Sequence, residues 1–248
     1  MTLRLYVPEL ALALAADAEL ALPPGPARHV QVRRAQPGDA LVLFDGHGGE
    51  WSAEVRRMAR DAVHVRVGAH DATEREADRA ITVALGMPAN ERMDALVEKA
   101  TELGAAAIQP LLCTRAVLRL HGERAARKQG HWQGVAIAAA EQCGRTRVPP
   151  IAPVRTLDEW LAGLPPAVPH THTRWLLSPG AAPLAKVDAA APTRPAAATL
   201  LSGPEGGLTP EEQAAARAAG FVPVGLGARL LRADTAPLAV LAWAALRT

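Results

Sequence analysis

Two glycine-bearing turns near the C-terminus, Ser202-Gly203-Pro204-Glu205-Gly206-Gly207 and Gly225-Leu226-Gly227, carry the residue types from which this chain can build a binding site. Each follows a short apolar run and leads into a helix-like segment. Glycine has no Cβ to block positive φ or to hold a bound group away, so such turns offer bare amides to a small, nucleotide-like molecule. Polar side chains accompany both turns: Ser202 and Glu205 in the first, and Arg229, Arg232, Asp234 and Thr235 after the second. An Arg-x-Asp at a helix start also reads as a cap with its ion pair. The second turn is not a dinucleotide fingerprint. Leu230 stands where the third glycine would be, and no later strand with a ribose-binding acid precedes Thr248. A Walker loop is likewise absent.

The elements that must position these turns are legible from residue 81 onward. Apolar runs at Ile81–Leu85, Ile108–Leu112, Trp175–Ser178 and Thr199–Leu201 predict strands, and Val222–Val224 predicts another. Between them, helical patterns cover Glu91–Leu103, Glu123–Cys143 and Leu157–Ala162. Thr209-Pro210-Glu211-Glu212 is a capping-box start for a helix running to Gly220, and a last helix is predicted from Arg232 to Leu246. Pro237 is tolerated there because it falls in the first turn. The proline-bearing stretch Pro179–Pro195 reads as a loop. Alternation of strand and helix implies a parallel α/β sheet.

Upstream, Val30–Val32, Leu41–Phe44, Trp51–Val55 and Val63–Val67 read as short strands separated by Pro37-Gly38-Asp39 and Asp45-Gly46-His47-Gly48-Gly49, which predicts a small antiparallel β-barrel or sandwich. Arg28, Arg33 and Arg34 cluster at its start, with Arg56, Arg57 and Arg60 further on. They suit either a phosphate-contacting face or solvated strand edges. The charged stretch Asp71–Arg79 is the linker, so the expected domains are 1–72 and 73–248.

At 248 residues the chain can bury two cores. A net charge of +2 permits a nucleic-acid partner without demanding one. Cys113 and Cys143 have no CxxC or metal-ligand spacing, which suits a reducing cytosol and argues against a disulfide framework. No run of about 18 apolar residues occurs, so a cytoplasmic protein without a membrane partner is expected. His170-Thr171-His172 reads as loop, and no metal site is expected.

Leu200 through Glu212 and Leu226 through Ala236 closely resemble the two C-terminal motifs of the RsmE family, ribosomal RNA uridine-N3 methyltransferases of the SPOUT superfamily. Arg4-Leu5-Tyr6-Val7, His29 through Arg34 and Phe44-Asp45-Gly46 resemble that family's PUA-like N-terminal domain. Lys99 through Gly104, Thr114-Arg115-Ala116-Val117 and Glu141 through Arg145 are similar to its central signatures. The matches fall in the right order along nearly the whole chain. Two departures stand out: Ala89-Asn90-Glu91 lacks the family's lysine, and Asp234 replaces a glutamate.

The resemblance implies an α/β SPOUT methyltransferase domain with a C-terminal trefoil knot, preceded by a small PUA-like β-barrel domain. It implies S-adenosyl-L-methionine (SAM) as cofactor, wrapped by the loops Leu200–Thr209 and Val222–Ala236, with amides of Leu201, Gly203, Leu226 and Leu231 on its polar edges and Leu177 and Leu226 as apolar walls. Gly206, Gly227 and Ala236 complete that set. A homodimer is implied too, with Leu238, Leu241 and Trp243 of the last helix available for packing. The expected reaction is methylation of N3 of a uridine in 16S ribosomal RNA, with Arg232 stabilising charge, Glu205 as base or orienting acceptor and Arg229 as alternate. Arg28, Arg33, Arg34, Arg115 and Arg145 are expected to hold the RNA backbone. The scarcity of aromatics, 3%, favours an assembled small-subunit surface over a short free strand. Two other readings compete: a different SPOUT activity such as transfer-RNA ribose 2′-O methylation, and a noncatalytic RNA-binding assembly factor.

Overall fold

The computed structural model describes residues 2–60, 62–167, 171–192 and 194–246. The chain divides into two compact units, Met1–Glu76 with Ile137–Val148, and Ala77–Ala136 with Pro149–Thr248. The first unit thus takes in a segment far away in sequence.

The first unit contains β1 (Leu3–Tyr6), β2 (Glu19–Ala21), α1 (Pro24–Val32), β3 (Ala40–Phe44), β4 (Glu50–Met58) and β5 (Val63–Asp71). They form one sheet of order β1-β3-β4-β5-β2. Its pairs are antiparallel except β1 with β3, which run parallel. Alternate residues Leu41 and Leu43, and Val63, Val65 and Val67, point into one core with Leu5, Val7 and Val55, as the two-residue period of a half-buried strand requires. The segment Val30–Val32, expected as a strand, is instead the end of α1. Two prolines start that helix, and Val30 is buried while Val32 is 70% exposed. A strand would put both valines on one face; a helix separates them.

The second unit contains β6 (Ala80–Gly86), α2 (Asn90–Glu102), β7 (Ala105–Leu112), most of α3 (Gly122–Cys143), β8 (Arg155–Thr156), α4 (Leu157–Ala162), β9 (His172–Leu177), α5 (Leu184–Ala190), β10 (Ala197–Ser202), α6 (Pro210–Ala218), β11 (Val222–Val224) and α7 (Thr235–Ala245). The six strands form a parallel sheet of order β11-β9-β10-β6-β7-β8. Its central strands are near-continuous apolar runs with Val83, Ala84, Leu200, Leu201, Trp175 and Leu176 fully buried, the pattern of a sheet covered on both faces. Because β11, β9 and β10 are parallel neighbours, the turns leaving their C-terminal ends emerge together at one edge of the sheet.

Local sequence signals account for most boundaries. Thr209 accepts from the Glu212 amide and Glu212 reaches back to the Thr209 amide, the reciprocal cap expected at α6. Thr156 and Glu159 build the same device at α4. Three expectations change. The stretch Pro179–Pro195 contains α5, started by Pro183. The last helix begins at Thr235, because the chain from Arg232 to Asp234 is still turning. His172 opens β9 and bonds the Thr199 hydroxyl at 2.7 Å, so it is a strand residue, while His170 lies outside the described residues. Among the described residues no helix is long and apolar enough to cross a membrane.

Candidate active site

The turns leaving β9, β10 and β11 enclose a cavity of about 670 Å³ in the second unit, within the size range of small-molecule and cofactor sites. Its walls are apolar where Leu177, Leu208, Val224 and Leu226 meet and polar where Ser202, Gln213 and the turn backbones face in. Arg92, Glu205, Arg229 and Arg232 also line it.

The turns are held by backbone geometry. The Gly225 amide donates to the Ala182 carbonyl at 2.8 Å, and its carbonyl accepts from Leu184 at 2.9 Å, zipping the third turn onto the first. Gly203 packs so closely that a Cβ would stand 2.9 Å from the Leu208 nitrogen, and Gly227 adopts φ +100° on the cavity wall. Among the described residues, the amides of residues 226–231 donate to no protein acceptor. Six successive donors on a loop that lines the cavity suit a ligand with acceptor atoms.

The turn that carries Glu205 is braced from outside. The Arg115 guanidinium donates to the Gly206 carbonyl at 3.1 Å. One residue earlier, the Thr114 amide donates to Glu212 at 2.7 Å, so the buried Glu212 carboxylate ties α6 to the end of β7. Burial pushes the thiol of Cys113, at the start of this segment, up to about 12. Glu205 itself reaches α2: its Oε1 accepts from the Ala89 amide at 3.3 Å and lies 3.6 Å from an Arg92 nitrogen.

Of the residues singled out in the sequence, Arg232, Glu205, Arg229, Leu177, Gly203, Leu226, Gly227, Leu231 and Ala236 share this cavity. Leu201 does not. It is fully buried in β10 between β6 and β9, off the cavity. Gly206 faces outward, towards Arg115. Asp234 stands at the N-cap of α7 without capping it through its side chain, and accepts from the Thr235 hydroxyl at 3.4 Å. Leu241 is core, whereas Leu238 and Trp243 are half-buried. Arg92 escaped the sequence reading; its one signal there was its place directly after Ala89-Asn90-Glu91 at the start of a helix.

In the first unit Arg28, Arg33 and Arg34 are exposed on and just after α1 and form no ion pair with described residues. Arg56 pairs with Glu54, and Arg57 bonds His64. Arg145 departs from its expected display to RNA. It is 5% exposed, and its Nε donates to Glu76 at 2.8 Å. A guanidinium spent on an internal carboxylate is not offered to a phosphate. Among the described residues no group of three or more potential metal ligands gathers.

A family model for the RNA methyltransferase domain matches residues 75–245, and one for the RNA methyltransferase PUA domain matches residues 27–68. Ribosomal RNA small subunit methyltransferase E of Synechocystis sp. is 34% identical over 86% of this chain and 67% of its own length. The crystal structure of ribosomal RNA small subunit methyltransferase E from Neisseria gonorrhoeae, bound to S-adenosyl methionine, superposes with a TM-score of 0.88 at 33% identity, covering 98% of this chain and 96% of that one. A protein of Legionella pneumophila solved in complex with the cofactor SAM gives 0.89 at 30% identity, covering 100% and 98%. The fold is a PUA β-domain together with an RNA methyltransferase α/β domain built on a parallel sheet. By these matches over nearly its whole length, the chain belongs to the ribosomal RNA small subunit methyltransferase E (RsmE) family.

Proposed function

We propose that this chain methylates N3 of a uridine in 16S ribosomal RNA, using SAM as methyl donor. The observation that carries the reading is the run of amides at 226–231, without an acceptor among the described residues, on a cavity also lined by Arg229 and Arg232. The residues present fit the donor. The amides of Gly203, Leu226 and Leu231 suit its adenine and ribose acceptors, Leu177 and Leu226 wall the ring, and Gly227 and Ala236 leave room for it. When bound, SAM supplies a methyl group on a cationic sulfur: the N3 electron pair forms the new N–C bond, and the C–S pair returns to sulfur.

The chain's own work is on the base. Neutral uracil carries a proton at N3, so its departure leaves negative charge on the O2-N3-O4 edge. Arg232, with Arg229 in reserve, supplies a fixed positive charge to that edge, and Glu205 accepts the proton. The target must be unpaired, since pairing occupies N3. Arg28, Arg33 and Arg34 hold the RNA backbone; Arg115, bonded to Gly206, serves first as a brace of the turn. A homodimer is part of the proposal, supported by Leu230 at the cavity rim, 81% exposed, and Leu246 beyond α7, 86% exposed.

The test is mass spectrometry of nucleosides from small-subunit RNA of a deletion strain, complemented by the wild-type chain or by Arg232→Ala. Loss of 3-methyluridine in the deletion, restored only by the wild type while both proteins bind SAM in calorimetry, is the expected result. Loss of a ribose-methylated nucleoside points to the transfer-RNA type of chemistry. No heat of SAM binding points to a noncatalytic assembly factor.

A further inference from the structure

We infer that Arg92 is a positioning residue, which with the Ala89 amide anchors one oxygen of Glu205 and leaves the other free for the proton of N3. The inference rests on the proposed reaction and assigns a role within it to a side chain on another element. Oε1 of Glu205 takes both contacts, the Ala89 amide at 3.3 Å and the Arg92 guanidinium at 3.6 Å. Among the described residues Oε2 has no hydrogen-bond partner. Both Arg92 and Glu205 line the cavity.

This geometry matters because Glu205 lies in a glycine-rich turn. A carboxylate there, two rotatable methylenes from a backbone built on Gly203, Gly206 and Gly207, has many orientations to lose on binding. The start of α2 removes that freedom. The amide and the guanidinium both meet the same oxygen and so fix how the carboxylate is turned. In the step itself the N3–H bond breaks, its electron pair stays on nitrogen, and the proton goes to Oε2. The other charged groups on this cavity are Arg229 and Arg232, while Arg115 touches the same turn at Gly206. All are cationic, so Glu205 is the one carboxylate among the described cavity-lining residues.

The test compares Arg92→Met, Arg92→Lys, Glu205→Gln and the double variant Arg92→Met/Glu205→Gln in the full-length protein. Measurements are SAM affinity by calorimetry, thermal unfolding, and the pH profile of kcat on small-subunit particles. Glu205→Gln should lower kcat roughly 100-fold and abolish the acidic limb. Arg92→Met should lower kcat roughly tenfold with little change in KM for the particle, because the carboxylate loses its fixed orientation. SAM affinity should hold. Arg92→Lys should restore most of the loss, and Arg92→Met should cost nothing further in the Glu205→Gln background. No rescue by Arg92→Lys, or an equal loss in both backgrounds, overturns the role of Arg92. An intact limb in Glu205→Gln overturns it as well. Nucleoside analysis of the same reactions reads the target atom separately: a product other than 3-methyluridine overturns the proposed reaction, whatever the pH profiles show.

Discussion

Gly225 and Ala181 approach so closely that a Cβ on Gly225 would stand 2.5 Å from the Ala181 carbonyl oxygen. That contact is backbone against backbone, so no side-chain rotation relieves it. It locks the turn after β11 onto the turn after β9, and with them one wall of the cavity. Gly225→Ala is expected to cost about 1–3 kcal/mol of stability and to weaken SAM binding more than tenfold. Chemical denaturation and calorimetric titration check the two effects. Unchanged affinity would show that the wall is not part of the donor site.

The Glu212 carboxylate accepts from two backbone amides, those of Thr114 and Thr209, and the Glu212 amide donates to the Thr209 hydroxyl. Glu212→Ala strands the first two amides beside a buried site. A loss of roughly 2–3 kcal/mol follows for hydrogen bonds to a charged group. Urea denaturation measures it, and Thr209→Ala, which removes only the hydroxyl cap, should cost about 1 kcal/mol.

Glu50 bridges Arg4 and Arg75 in the first unit, at 2.5 and 2.9 Å. Burial pushes its carboxyl up, but hydrogen bonds and charge from Arg75 and Arg4 outweigh this and hold it below the usual carboxylate range. A depressed folded-state value means that the stabilisation is present above the ordinary range and is lost as pH falls through the folded value. Glu50→Gln should therefore destabilise by roughly 1–2 kcal/mol at neutral pH, with the difference shrinking as the solution is acidified. Thermal melts at a series of pH values decide it; a difference that grows on acidification would reverse the sign.

Cys113 is buried with its thiol pushed up to about 12, whereas Cys143 is exposed. Ellman's reagent at mildly alkaline pH should label Cys143 readily and Cys113 only after denaturation. Rapid labelling of both cysteines in the native protein would contradict the packing around the end of β7.

Arg28, Arg33 and Arg34 offer their charges to solvent without internal partners among the described residues. If each contacts one phosphate, replacing all three by alanine should reduce the slope of log K against log salt for small-subunit RNA by roughly 2–3. Filter binding across a salt series reads the slope directly. Arg145→Ala should behave differently, lowering stability through the orphaned Glu76 and leaving the slope unchanged.

What could be read directly from the chain was local. The capping box at Thr209 and Glu212 spans four residues, and the apolar runs of β6 and β10 need no partner to be seen, so the α/β alternation and the two glycine turns were legible without coordinates. Alternation misled where two periods coincide over three residues: Val30-Gln31-Val32 fits a strand, and only the prolines before it and the packing of Ala27 and Val30 make it a helix. Charge misled at Arg145, since its partner Glu76 lies 69 residues away. Leu201 misled because a residue one position before a turn can belong wholly to the sheet. The meeting of Glu205 with Ala89, 116 residues apart, belonged to the tertiary structure alone. Residue type and short spacing fix which groups can accept a proton or bare an amide; the parallel order β11-β9-β10-β6 fixes which of them share one cavity, because only strand pairing brings distant turns to the same edge.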